Sequence, residues 1–457
     1  MKRILAYTYL SIIACLLLLQ GCTLDIPPAD QYADPDAIAD VQNARSLLAS
    51  AYQAYPHIEY ELSTIGPDFC PTNLVGKDVA QKNLYAWQDN SLTLLANDAW
   101  AGYYNCIAQC DALLDRLSGV AVSTAAKESE LACITAEAKT LKALCLFQLL
   151  QLFAPRYADD PQADGIILTD HLGLKYNQRS SITDCTTAIR TLLTEAEAVA
   201  NTPKSNGWFS QTAVRCLLAQ LELYAGRYAE AERWASQVWS QANNAMFTVA
   251  GFSRLFLPAT CNERIFAFFT DMTFYVSIQF SASEGDYFAL NPAATFAATD
   301  VRHDVYADTL TMDGQRRTLV GKYNRMNRRG STTQYINTLR YTHALFTLAE
   351  AQARRGNSSK AINTLNTWLT TIGATPLPTT LTGEALIDAI LAEKLREFAG
   401  EGIALFDLKR NGRSLPRLGK WGSATTSTIA ATDYRWTLPI PRSEYRYNDN
   451  VKQNQGW

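Results

Sequence analysis

Apolar residues return at every third or fourth position along most of this chain, and that spacing predicts helices. In Ala37 to Tyr55, the residues Ile38, Val41, Leu48 and Tyr52 share one face, and Pro56 ends the run. Asn97 to Leu117 steps through Trp100, Tyr104, Ile107, Asp111 and Leu114. Ala125 to Phe153 is longer and stops before Pro155. Its Leu141, Leu144, Cys145, Phe147 and Leu149 surround the helix axis, which predicts burial on every side. The same spacing predicts helices at Ser181 to Val199, Ser210 to Gln241, Gln334 to Arg355, Ser358 to Ile372 and Gly383 to Phe398.

Two stretches repeat one arrangement. LLAQLELYAGRYAEAERWA carries Ala219, Gly226 and Ala231, and FTLAEAQARRGNSSKAINTL carries Ala349, Gly356 and Ala361 at the same intervals. Small residues let two helices approach closely, and the glycine permits the turn between them, as in tetratricopeptide pairs. A long non-repetitive stretch separates the two copies, so they read as one scaffold carrying something else. Within that stretch, Phe247 to Gln334, the helical period fades, β-branched and aromatic residues cluster, and Glu263 to Phe269 reads as a strand. Pro56 to Asn90 is irregular too. The fold class expected is all-α dominated: a tetratricopeptide-like scaffold of helical pairs with long irregular loops and a few short strands. Long loops on a rigid frame are where binding usually sits.

The N-terminal pattern differs. Lys2 and Arg3 precede an apolar run from Ile4 to Leu19, a basic start and short apolar core typical of an export signal. It ends in Leu19-Gln20-Gly21-Cys22, which resembles a bacterial lipobox. Residues 1–21 are then removed and the Cys22 thiol carries the lipid. Pro27, Pro28 and Pro35 disfavour helix in 22–36, which reads as a tether. A lipid anchor holds a protein to a membrane without spanning it.

Charge is nearly balanced over the 457 residues, with 41 basic against 44 acidic, and there is no basic block. Nucleic acid is therefore not an expected partner. Of ten cysteines, Cys106, Cys133, Cys145 and Cys216 sit in helical apolar runs, where a thiol packs as a small hydrophobe, so mostly buried free thiols are expected. His57, His171, His303 and His343 stand singly, outside any metal-binding spacing. No nucleophile elbow or phosphate loop is present, and neither cofactor nor metal is expected. Glu393 and Glu397 share a helix face near Lys394 and Arg396, which reads as a salt-bridged surface.

EKLREFAGEGIALFDLKRNG, Glu393 to Gly412, resembles the signature helix and turn of the SusD/RagB family, nutrient-binding lipoproteins of the bacterial outer membrane. LPIPRSEYRYNDNVKQNQGW, Leu438 to Trp457, is similar to that family's closing motif. Further likeness lies in CTLDIPPADQY, in Trp100 with Tyr104 and Ile107, and in AEAKTLKAL, NERIF, Asp300 with Arg302, GKY and LRYTHALFTLAEA. Ala404 stands where the family often has arginine, and FAPRYADD replaces its usual Phe-Gly-Asp-x-Pro turn. The motif residues read as holding the fold: Glu401 and Gly402 at a helix end, Phe406 buried, Asp407 paired with Arg410, Pro439 and Pro441 fixing the tail.

The resemblance implies a domain plan of 1–21 signal, 22–36 tether, 37–246 N-terminal helical part, 247–334 loop and short-strand insertion, and 335–457 C-terminal helical part with the signature and tail. It implies a SusC-like TonB-dependent transporter as partner, which the chain caps as a lid at the outer membrane. Family ligands are mostly oligosaccharides, and some members take peptides. Sugar recognition calls for aromatic faces with a few polar groups. Candidates in the irregular segments are Tyr60, Tyr85, Trp87, Tyr275, Tyr287 and Trp421, with Asp68, Asn73 and Lys77 as polar contacts. Core packing is the commoner fate of such rings. A glycan receptor without catalysis is the first reading, a peptide receptor of the same build the second, and a surface hydrolase on a helical scaffold the third.

Overall fold

The computed structural model describes residues 38–171, 176–257, 259–270, 287–312, 314–322 and 334–457. The signal, the tether, Cys22 and Tyr275 lie outside them. Helices dominate: α1 Val41–Gln53, α2 Glu59–Ile65, α3 Val79–Tyr85, α4 Asp89–Arg116, α5 Ala125–Phe153, α6 Ile182–Glu197, α7 Gln211–Tyr224 and α8 Tyr228–Trp239. Then come α9 Val249–Leu255, α10 His303–Tyr306, α11 Tyr341–Arg354, α12 Ser358–Thr371, α13 Gly383–Phe398, α14 Ala404–Arg410 and α15 Arg442–Tyr447. Side-chain oxygens of Asp40, Thr124, Ser181 and Ser210 accept from backbone N–H groups at the starts of α1, α5, α6 and α7.

The helical expectations for 125–153 and 383–398 coincide with α5 and α13. Others need correction. The helix expected from Asn97 begins at Asp89, because Leu92, Leu95 and Ala96 extend its buried stripe. Pro56 to Asn90 holds α2 and α3, each of seven residues and too short for periodicity to reveal. The expected helix 334–355 starts only at Tyr341. Residues Gln334–Arg340 instead form β6, paired antiparallel with β2, Arg264–Thr270.

Both repeat pairs form as expected. In α7–α8, Gly226 has φ +69°, and the Arg227 N–H reaches back to Glu222 O at 2.8 Å. In α11–α12, Gly356 has φ +79°, and Asn357 N–H reaches Gln352 O at 2.9 Å. This is the left-handed cap that ends helices with glycine. The two pairs also stack on each other. Helix α8 packs along α11, with Ala235 and Ala219 against Leu348 and Ala231 against Ala351. About a hundred residues leave the stack after α8 and rejoin it at α11.

That excursion carries short antiparallel strands: β3 Phe288–Leu290 pairs with β1 Phe69–Pro71, and β4 Ala307–Met312 pairs with β5 Gln315–Val320. Near the C-terminus, β7 Leu415–Leu418 pairs with β8 Thr425–Ile429. One apolar core lies among α1, α4, α5, α6 and α7, around Leu48, Leu92, Leu149, Ile189 and Leu217. A second lies among α9, α11, α12 and α13, around Phe252, Phe346, Leu365, Trp368 and Ile390. Eight free thiols occur among the described residues, and all except half-buried Cys133 are buried.

The signature helix is not a salt-bridged surface. Glu393 and Glu397 are buried, and Arg302 donates to both, at 2.6 and 3.3 Å, as well as to Asp300. Arg340 donates to Glu397, Glu263 and Glu401, and Lys322 donates to Glu401 at 2.6 Å. Burial opposes the Arg302 and Arg340 charges, yet the surrounding carboxylates hold both pKa values above the usual arginine range. The local pair expected from spacing does form, with Arg396 donating to Glu393 at 2.7 Å, but the buried partners Arg302 and Arg340 come from distant segments that spacing cannot show. Phe406, expected buried, is half-buried.

Other buried cations meet helix ends. Lys409 donates to Gln151 O and Ala154 O, both at 2.7 Å, and Arg179 donates to Phe153 O at 3.0 Å. Arg417 donates to Thr64 O and Gly66 O. These are carbonyls that α5 and α2 cannot pair internally, at their negative poles. Asn454 of the closing motif donates to Phe153 O and Leu438 O, tying the tail to the same end of α5.

Candidate functional site

The strand pair β1–β3 has two faces, as alternation requires. Phe69, Phe288 and Leu290 point into the second core, where Tyr60, Phe69, Tyr85 and Phe288 form a ring cluster with centroids 5.6–6.3 Å apart. Cys70 and Ala289 point the other way, with Leu319 of β5 beside them and Leu418 and Trp421 packed on top. Three loops far apart in sequence thus meet on one small sheet.

Trp421 occupies the tip of the β7–β8 hairpin, in a turn with φ +57° followed by Gly422 at φ +71°. Few residues other than glycine adopt that region without strain, and such strain gathers at functional positions. A side chain at 422 would run into the Pro292 ring, so glycine is required there. The Trp421 ring is half-buried, and the Arg317 guanidinium lies 4.6 Å from its centroid. Both side chains are half-buried, so an aromatic ring and a guanidinium stand side by side with exposed surface, a combination suited to a sugar's apolar face and hydroxyls.

Tyr287 and the 69–77 loop adjoin this surface. Tyr287 is half-buried, and its carbonyl accepts from the Thr72 N–H and hydroxyl at 3.0 and 3.2 Å. Asn73 and Lys77 follow on an exposed turn. Of the residues singled out from sequence, Asn73 and Lys77 are exposed and Tyr287 and Trp421 half-buried, but Tyr287 packs against the second core and Trp421 on the opposite face of the sheet.

Four others are buried. Tyr60 belongs to the ring cluster beneath the sheet, 4 % exposed. The Tyr85 hydroxyl donates to Leu418 O at 3.1 Å and accepts from the Leu418 N–H at 3.0 Å, while Arg417 lies 3.5 Å from its ring. Tyr85 supports the hairpin from below. Trp87 is 1 % exposed; its indole N–H donates to Ile65 O at 2.8 Å and its ring meets Trp436 edge-on. It belongs to the first core and offers no face to a ligand. Asp68 is wholly buried and accepts from the Gly400 N–H at 2.7 Å; burial pushes its pKa up to about 7. Their irregular surroundings suggested exposure, but a loop packed on a helical frame buries its large rings.

Sequence reasoning missed Arg317. The only local signal is the Gly314 turn before QRRTLV, whose polar residues come first and apolar residues last instead of alternating. Among the described residues no cluster of three or more His, Cys, Asp or Glu could hold a metal ion. No described helix is long and apolar enough to cross a membrane.

The sequence profile of the SusD family matches residues 295–457, and a second profile, described as starch-binding associating with the outer membrane, matches residues 26–223. None of the curated proteins matches the chain significantly. Solved structures do. A SusD superfamily protein from Bacteroides vulgatus is similar at a TM-score of 0.77 and 19 % identity, over 92 % of this chain and 99 % of its own. A SusD-like carbohydrate binding protein from the same species has TM-score 0.76 and 17 % identity, over 90 % and 97 %. A SusD superfamily protein from Bacteroides thetaiotaomicron has TM-score 0.73 and 22 % identity, over 91 % and 100 %.

Proposed function

We propose that this chain, which belongs to the SusD family, is a non-catalytic receptor that captures oligosaccharide at the cell surface and hands it to a SusC-like TonB-dependent transporter. The observation that carries the reading is the Trp421 ring, held in a strained turn with Arg317 against it, at a junction of three loops. Asn73 and Lys77 are exposed on the turn that follows β1. The starch-binding description of the N-terminal profile and the carbohydrate-binding name of one structural neighbour favour glycan as cargo. In this reading Cys22 carries the lipid, and the barrel partner supplies the passage that a lipid-anchored body lacks.

A glycan array probed with the mature body tests the cargo. Saturable binding to at least one oligosaccharide, without release of shortened product, is the expected result. Silence across a broad array, or hydrolysis of a bound glycan, would contradict the reading.

A further inference from the structure

Two adjoining cavities, of about 610 and 510 Å³, open where α5 stops, below the α7–α8 turn. Pro155, Arg156, Lys409 and Arg413 line both. Each has the size of a small-molecule site. They lie at the base of the β7–β8 hairpin, whereas the Trp421 face lies at its tip.

The wall of the larger cavity carries four arginines, Arg156, Arg354, Arg410 and Arg413, and Lys409, whose pKa burial lowers to about 7, against the single carboxylate Glu384. Most of these cations are held in place by acids. Arg410 is bound by Glu350 and Asp407, Arg413 by Glu384 and Asp388, Arg354 by Glu384, and Arg156 by Asp159. Lys409 has no carboxylate partner. Two of its three N–H donors go to Gln151 O and Ala154 O, which leaves one for an occupant.

Arg156 is placed with care. It stands at the boundary of both cavities, and its guanidinium lies where any side chain at position 412 would be. Gly412, at φ +61°, is thus required both by its conformation and by the arginine above it. Three tyrosines, Tyr157, Tyr224 and Tyr228, supply aromatic surface to the same wall. The Tyr224 side chain is 9 % exposed, and its buried hydroxyl has no hydrogen-bond partner among the described residues. A buried hydroxyl left unpaired costs free energy that a ligand would recover.

We propose that this cleft is a second binding site, for a carboxylate-bearing small molecule whose charge meets Arg156 and Lys409 while its body lies against the three tyrosines. A guanidinium favours a carboxylate over a neutral hydroxyl because charge-assisted hydrogen bonds are about twice as strong. The carboxylate can belong to a uronic acid at the end of a glycan or to the end of a peptide. The site is independent of the Trp421 reading, since the two surfaces share no lining residue.

Calorimetric titration of the mature chain with four probes tests it: trigalacturonate, neutral maltotriose, and one tripeptide with a free or an amidated C-terminus. At least one acidic probe binds, and at least tenfold more tightly than its neutral counterpart; which one binds identifies the source of the carboxylate. Arg156→Ala weakens that probe at least tenfold and leaves any neutral glycan binding within twofold, with thermal stability unchanged. Lys409 caps α5, so Lys409→Gln is a second variant only if it melts normally. Absence of acidic-probe binding at millimolar concentration overturns the proposal. So does equal affinity for the neutral forms, or an Arg156→Ala variant that binds as tightly as the parent.

Discussion

Arg340 donates to Glu397 at 2.6 Å, and neither side chain is exposed to water. The contact joins the last residue of β6 to the signature helix α13, and through Glu263 it reaches the start of β2. Buried ions do not by themselves add stability, but one stripped of its partner is costly. Arg340→Met leaves Glu263, Glu397 and Glu401 short of positive charge. It is expected to cost about 3–5 kcal/mol, seen in a urea titration as a lower midpoint.

Trp421 and Trp87 separate recognition from stability. Trp421→Ala removes a half-buried ring from the surface and is expected to lower glycan affinity at least tenfold with little change in melting temperature. Trp87→Ala opens a cavity in the first core and is expected to cost about 3–5 kcal/mol. Paired binding and melting measurements on the two variants distinguish the roles.

Asp68 makes stability depend on pH. Its folded pKa, raised by burial to about 7, lies above its ordinary value of 3.8. The folded state therefore holds a proton that the unfolded state releases, and stability falls as pH rises from about 4 to about 7. Glu61, also raised to about 7 mainly by burial, acts in the same direction. Asp68→Asn keeps an acceptor for the Gly400 N–H and cannot ionise. Its melting temperature is expected to match the parent near pH 4 and to exceed it increasingly towards pH 8.

Gly226 and Gly356 are free of steric contact at the position of a side chain, so alanine there meets only the penalty of its backbone angle. Each Gly→Ala change is expected to cost about 1–2 kcal/mol.

The helical frame was legible because a 3.6-residue period over a dozen or more residues is a strong signal, as in α5 and α13. The two tetratricopeptide turns were legible because φ above zero calls for glycine. Residues 334–340 read as helix in sequence because a seven-residue strand runs directly into one, with the Arg340 backbone N–H at the junction donating to His343 Nδ1 at 3.0 Å. The candidate face was half legible. Trp421 and Tyr287 could be picked out as aromatics in irregular segments, but Arg317 pairs with Trp421 only through the hairpin fold. Trp87 and Tyr85 have the same local setting in sequence, and tertiary packing alone sends them inward. Glu393 and Glu397 show the same limit, since the buried arginines Arg302 and Arg340 lie 91 and 57 positions away, and only the Arg396–Glu393 pair is local.

The stacking of α8 on α11 means that the intervening hundred residues depart from and return to neighbouring points on one frame. The excursion is also fastened to the frame between its two ends, because Arg302 and Lys322 within it are bound to Glu393, Glu397 and Glu401. A substitute for those hundred residues would have to bring matching cations for the signature helix or leave its carboxylates buried without these charge partners.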